Sequence, residues 1–417
     1  MDTAFTDALC ARQRLASDGW IPPRAASFRH LPPPAAEVWL GGAIDAARLD
    51  FEARPPAGAG WTLHAVGGRP LGGVQARWLD ASDPAQRAEL YAGLAPGAVG
   101  DAAPFEWAHR ALCRQGLRLR IGHADGSRGD EGSGETVWLQ LHSAPQTSVE
   151  APLLVIDVAD DVRCVLVEVH ACNAPVCAHR TTQNLQVHLH LGRGASLSHL
   201  RLVTPGAQDR WAHHMRVALG ADAHYAQVLV AAGSGYHLQH ASLELHAEGA
   251  SARVGSVVFA AGSVLQQQVR ITHRAAHTHS AVEALVLARG TARAVVDAHT
   301  EIAAGASQTD ARQRLAGVPT AGQPRLVLQP HLEIGHDQVQ AAHGATWGSL
   351  PEDALFYAQQ RGLAEDQARS LILDGMAQAV IGRTFGDAAV APALGLDATL
   401  ARAVAGHLAT PIGARHE

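Results

Sequence analysis

Aromatic side chains make up only 5% of this 417-residue chain, and charged ones only 17%. The net charge of −6 is not gathered into blocks of one sign. A nucleic-acid surface needs clustered basic residues, so that class of partner is not expected. No stretch approaches the 18 consecutive apolar residues of a membrane-spanning helix. The opening MDTAFTDALCARQRLASDGW has no basic segment followed by an apolar run, so no secretory leader is expected. Five cysteines (Cys10, Cys113, Cys164, Cys172, Cys177) are few and odd in number, which fits a reducing cytosol better than a disulfide framework. Two enzyme signatures are missing. Without G-x-x-x-x-G-K-[ST], ATP hydrolysis by this chain alone is not expected, and there is no G-x-S-x-G nucleophile elbow.

What the chain does have is aliphatic content. Hydrophobic residues reach 47%, enough for a large core of small side chains, and the length suits two or three folding units. Residues 1–116 read as a mostly helical region with some extended segments. Phe5–Ser17 places Phe5, Leu9 and Leu15 near one helical face, with Gly19 just past the end. Prolines at 22, 23 and 32–34 predict extended chain. Asp83–Leu94 and Pro104–Gln115 read as two more helices, the second closed by Gly116.

From Leu117 the period becomes two. Leu185, Val187 and Leu189 alternate with Gln186, His188 and His190; Ala241, Leu243 and Leu245 alternate with Ser242, Glu244 and His246. A glycine and a small residue recur between strands, at Gly194, Gly220, Gly249, Gly290 and Gly305. Evenly spread strands suit a sandwich, a barrel or a β-helix. A loose repeat lasting over 150 residues favours coils stacked on one another, each burying what the next exposes. Helices are expected to cap both ends of that stack and cover its edges. The core is placed at 117–348 and a C-terminal helical domain at 349–417.

The two regions meet between Pro330 and Gly362. Ser349-Leu-Pro-Glu352 has the form of a capping box ahead of a helix Glu352–Arg361, ended by Gly362. Gly344 and Gly348 bracket the junction, which places His343 at a hand-over from strand to helix. Beyond it, Ala368, Leu371, Ile372, Gly375, Met376 and Ala379 form one apolar stripe, suited to core packing or to a partner's groove. Ala388–Leu394 reads as a loop, and Asp397 as the cap of a last helix.

The densest cluster able to do chemistry is His170, Cys172, Cys177 and His179. Two thiolates and two imidazoles are a common zinc set, although the spacing is not that of a standard finger, and two buried thiols beside surface histidines fit better. Many of the 25 histidines fall on strands, among them His188, His190, His199, His213, His237, His240 and His273, and they read as solvent-side residues. A β-helix enzyme acting on carbohydrate is a rival function, but it needs an acidic groove, and Asp157, Asp160 and Asp161 look like a turn.

Five pieces in order carry a resemblance: Ala306-Ser-Gln-Thr-Asp-Ala-Arg-Gln313, Pro324 through His331-Leu-Glu-Ile334, His343-Gly-Ala-Thr-Trp-Gly348, Leu355-Phe-Tyr-Ala-Gln-Gln-Arg-Gly362 and Ala368-Arg369. The chain resembles the SufB/SufD family of iron–sulfur cluster assembly proteins over roughly 117–383. Lacking an N-terminal cysteine group, it is more similar to the SufD branch. The resemblance implies a mainly β fold: a right-handed parallel β-helix flanked by N-terminal and C-terminal helical regions. It also implies a non-catalytic scaffold in the cytosol, paired with a SufB-like subunit and docked to a SufC-like ABC-type ATPase that holds the ATP. His343 and Gly344 then map to the SufB interface, where an iron–sulfur cluster is held transiently and no cofactor stays on this chain alone. Phe356, Tyr357, Arg361 and Gly362 map to the ATPase contact. Where many members carry a cysteine two residues before that histidine, this chain has Ala341, so thiolates there must come from the partner. A homodimer is expected of the isolated chain.

Overall fold

The computed structural model describes residues 3–42, 58–66, 72–94, 102–123, 136–171, 180–387 and 389–410. Nineteen strands form two long sheets wound as a parallel solenoid of about seven coils. One sheet takes, in spatial order, β1 (Trp61–Ala65), β4 (Val137–Ser143), β7 (Arg163–Ala171), β9 (Ser196–Thr204), β11 (His224–Ala232), β13 (Ser251–Ala261), β15 (His279–Gly290), β17 (Thr309–Gly322) and β19 (Val339–Trp347). The other runs β2 (Val74–Asp80), β3 (Gln115–Ile121), β6 (Leu153–Val158), β8 (Thr182–Leu191), β10 (Arg210–Leu219), β12 (Tyr236–Leu245), β14 (Val264–His273), β16 (Arg293–Ile302) and β18 (Arg325–Ile334), with β5 (Val149–Glu150) paired to β8. Only the first strands depart from parallel: β1 pairs β4, and β2 pairs β3, antiparallel.

Apart from one shift between β15 and β17 at Ala288/Arg289, the register is straight, so side chains stack in rows along the axis. Inner rows are aliphatic over most of the length, for example Val187, Met215, Ala241, Val269 and Ala298. The coil corners explain why the glycine repeat was irregular. Asp161, Gly194, Asp222, Gly249, His277 and Gln308, 27 to 33 residues apart, all have positive φ. The amides of Asp161, Gly194, Asp222, His277 and Gln308 each donate to a carbonyl of the following coil, at 2.8–2.9 Å. Aspartate, histidine and glutamine fill places where only glycine leaves an obvious sequence mark. Gly290 belongs to a different corner, with Gly262 and Gly322.

The helices lie on the flanks, not on the ends as the sequence suggested. α1 (Thr3–Asp18), α2 (Ala36–Leu40), α3 (Pro84–Leu90) and α4 (Ala103–Leu112) form the N-terminal group. Asp83 caps α3 by accepting from the Gln86 amide. Gly116, expected to close α4, instead lies inside β3. Trp39 and Phe105 stack edge-to-face at 4.9 Å and cover Tyr236 and Leu238 on the outside of the second sheet.

On the first sheet's outer face lie α6 (Glu365–Phe385), α7 (Val390–Ala393) and α8 (Leu396–Ala409), and α5 (Glu352–Gln360) packs on α6. α6 buries Leu373, Ala377, Val380, Ile381 and Phe385 against Val228, Val257 and Leu285. The proposed stripe is therefore rotated: Ala368 is buried, but Leu371 is 59% exposed. Gly255 makes the close approach possible, since a Cβ there would stand 2.1 Å from Thr384 Oγ1. Residues 390–393, read as loop, form α7, and Asp397 sits in the first turn of α8 behind Gly395 rather than capping it.

Several histidines read as solvent-side are inside. His199, His213, His237 and His273 line the lumen, and His214 is buried against Phe105. Burial is the leading cause that holds His109 down to about 3 and His237 and His273 down to about 4. Histidine in an unfolded chain titrates near 6.5. The unfolded state therefore takes up these protons first, so their contribution to stability is complete above about pH 6.5 and is lost as pH falls toward about 4. The urea midpoint is expected to be flat near neutrality and to drop steeply across that window, with linked uptake of at least two protons. A midpoint that stays level from pH 6.5 to 4.5 would contradict the buried neutral histidines.

Candidate functional site

The solenoid ends openly at β18 and β19. Neither strand has a further neighbour among the described residues. Their inward-facing residues continue the inner rows but have nothing above them. Trp347 is 78% exposed and Ile334 51%. His343 belongs to this set: it stands over Gln313 in a row that passes down through Val282, Val254 and Gln227 to His199. It is thus a mid-strand residue at the mouth of the lumen, not a turn residue. Gly344 has ordinary strand geometry with open space around it. The change from strand to helix comes later, after Trp347, where Pro351 precedes α5. The expected capping box is absent, because α5 has no side-chain cap.

Below His343, Gln313 Nε2 donates to Thr300 Oγ1 at 2.8 Å and to the His331 carbonyl at 2.9 Å. Its Oε1 is buried without a hydrogen-bond partner among the described residues. The edge strand β19 has no aspartate, glutamate or arginine, and the whole chain has no lysine. Exposed edges are usually blunted by charge or proline. Nothing of the kind protects β19, whereas β18 carries Pro330 and Glu333.

On α5, Phe356 and Tyr357 are exposed by 63% and 59%. Arg361 lies over the Tyr357 ring at 3.4 Å from its centroid, and Gly362 takes positive φ (87°) to end the helix. Phe356 and Tyr357 are thus surface residues, with Leu371 of α6 also exposed.

The four-residue metal set cannot be assembled here, because Cys172, Cys177 and His179 lie outside the described residues. His170 is described and already engaged. It shares a 2.8 Å hydrogen bond with Glu168, which is completely buried in the lumen. Arg201 Nε donates to the same carboxylate at 3.1 Å, and His199 Nε2 lies 2.9 Å from its other oxygen. Arg201 also donates to Gln239 at 3.0 Å. Sequence reading missed this network, since Glu168 and Arg201 sit on different strands 33 residues apart. Burial would raise the Glu168 pKa, but Arg201, then His199 and His170, hold it well below the usual carboxylate range. Among the described residues no group of three or more histidine, cysteine or acidic side chains is arranged to hold a metal. Asp157 pairs with His190 and Arg118, and Asp161 is a corner residue, so these acids do not make a catalytic groove.

With this geometry in place, the comparisons decide the family. The family model "SUF system FeS cluster assembly, SufBD core domain" matches residues 141–376. The chain belongs to the SufBD core family of iron–sulfur cluster assembly. A SufBD family protein of Synechocystis is 24% identical over 247 residues, covering 57% of this chain and 54% of that protein. The iron–sulfur cluster assembly protein SufD of Escherichia coli is 22% identical over 219 residues, 52% of this chain and 51% of its own length. A Mycobacterium leprae SufBD family protein is 27% identical over 149 residues, 36% and 17% of the two chains. The chain spans about half the length of the first two relatives. The matched segment runs from β4 into α6, and so includes the whole lumen network, the open mouth and α5.

Removing one partner of a buried ion pair leaves the other charge uncompensated, at a cost of about 3–5 kcal/mol. Arg201→Leu is expected to lower unfolding stability by that amount, measured by urea denaturation at pH 7. Adding Glu168→Leu should recover much of it; no recovery would mean that the pair is not the source of the loss.

Proposed function

We propose that this SufBD family protein is the SufD-like, non-catalytic scaffold of a SufBCD-type assembly complex. Its open mouth pairs with the equivalent end of a SufB-like subunit, and α5 with the exposed start of α6 docks a SufC-like ABC-type ATPase. The observation that carries this reading is the bare, uncharged edge β19 with its inward-facing row exposed. Strand addition there supplies main-chain hydrogen bonds, and Trp347 and Ile334 supply apolar contact. A nascent iron–sulfur cluster is the cargo. Because Ala341 replaces a thiolate, the partner's cysteines furnish sulfur ligands and His343 adds an imidazole. ATP stays on the ATPase, and a cytosolic location follows from the same reading.

The mechanical link is short. α6 is fixed to β15 by a two-pronged Arg383–Glu283 ion pair, and α8 to β15 and β17 through Arg289 on the Leu408 carbonyl and Thr320 on His407. A nucleotide-driven pull on α5 and α6 therefore reaches strands directly below β19.

The separate contacts predict separate losses when the three proteins are co-expressed and purified. Trp347→Glu with Ile334→Asp is expected to weaken SufB-like capture at least tenfold while retaining the ATPase. Phe356→Ala with Tyr357→Ala should do the reverse, matching the effect of losing buried aromatic anchors. The reading is wrong if either double variant keeps the partner assigned to it. His343→Ala is expected to leave the assembly intact and to abolish most cluster formation; undiminished cluster yield would remove His343 from the site.

A further inference from the structure

A second concave site lies on the outer face of the second sheet, on the other sheet from α6; its last strand, β16, adjoins β18. It is a cavity of about 650 Å³, walled on one side by the N-terminal region at Ser27 and Leu94. That size suits a small-molecule ligand. Its floor is two outward rows of the solenoid. One row is basic and neutral: His188, Arg216, Ser242, Arg270 and His299. The next, two residues further along each strand, contains Glu244 and Glu301.

The basic row has two arginines on either side of Ser242, their backbones two strand spacings, about 9.6 Å, apart. Arg216 is held by Glu106 of α4. Arg270 is exposed and has no ion pair or hydrogen bond among the described residues. Both guanidinium groups press on His240, on the strand between them: burial first, then Arg216 and Arg270, hold its ring at about 4. Both arginines line the cavity, from the strands on either side of β12. The carboxylates nearest them are Glu106, which pairs with Arg216, and Asp297, which lines the cavity in the same row as His240. In the acidic row, Glu244 is taken by Arg274 and His246, but Glu301 has no ion pair or hydrogen bond among the described residues. An open guanidinium site and an open carboxylate thus face one cavity from adjacent rows, about 7 Å apart along the strands.

We propose that this groove binds an organic phosphate bearing hydroxyl groups, a sugar phosphate or nucleotide, with its phosphate between Arg216 and Arg270 over Ser242 and its hydroxyls toward Glu301. Arginine recognises phosphate oxygens with paired N–H donors, and a carboxylate accepts from vicinal hydroxyls. A simple anion uses only the first half of the site. Surrounding histidine rings offer flat faces to a sugar or base.

The test uses the full-length chain alone and so does not depend on the assembly reading. Ribose 5-phosphate and AMP are titrated by calorimetry, against inorganic phosphate, ribose and alanine. Saturable submillimolar binding of at least one of the two organic phosphates is expected, at least tenfold tighter than inorganic phosphate. Arg270→Gln should weaken all phosphate binding at least tenfold. Glu301→Gln should erase the preference for the organic phosphate and leave inorganic phosphate unchanged. Ser242→Asp, which sets a carboxylate between the guanidinium groups, should abolish binding with an unaltered melting curve. The proposal is overturned by no saturable binding of either organic phosphate, by full binding in Arg270→Gln, or by a preference for alanine, which would make the site one for zwitterions.

Discussion

Straight register is the constraint on which the other features depend. Each coil sets its residues directly above those of the coil before, so an inner row is one continuous column of side chains. Every coil is buried by its successor, and the last has none. An exposed set of inward-facing residues at β18 and β19 is thus a necessary product of the architecture. The other end differs, because β1 and β2 turn antiparallel against β4 and β3 and interrupt the stacking pattern. The solenoid accordingly presents one end with parallel stacking intact and ready to continue.

The same columns explain how a carboxylate is tolerated at the centre. Glu168 and Arg201 are immediate neighbours in one row, so the backbone brings the charges together before any side chain has to search for a partner. His199, one row over, supplies the second contact. Little conformational entropy is spent on the pairing, which reduces the usual penalty of a buried ion pair. Burial lowers the pKa of His170 and His213, so those two rings do not add like charge beside the Arg201 guanidinium.

Much of this was legible in the sequence where one local pattern had one meaning. Alternation in Leu185–His190 and Ala241–His246 identified the inward residues correctly, and the five motifs led to the family. The glycine repeat was harder, because Asp161, Asp222, His277 and Gln308 occupy equivalent left-handed corners without announcing it. Histidines were misread for a related reason. Two-residue alternation says that His199 and His213 face opposite ways from their neighbours, but not which face is inside when both sheet faces are covered. The position of His343 was also hidden. Its flanking glycines look like a turn, yet Gly344 is plain strand; only pairing with β17 shows His343 to be the top of a lumen row. Glu168 with Arg201, and Arg216 with Arg270, are joined by stacking across coils, a relation that spacing alone does not reveal.

The placement of the helices on the flanks, against the expectation of end caps, bears directly on function. A helix laid over β18 and β19 would satisfy the open edge and forbid its extension by another chain. By resting α6 on β11, β13 and β15, with Thr384 seated at Gly255, the chain keeps its C-terminal helices firmly attached while leaving the mouth free. Phe356 and Tyr357 then face solvent on α5, which packs on α6. On the proposed reading, two partners are held at once on separate surfaces, and motion imposed on one is passed to the other through packed side chains. A helix laid on the flank leaves the inward rows of β18 and β19 uncovered, which is the feature that the proposed pairing with a second subunit uses.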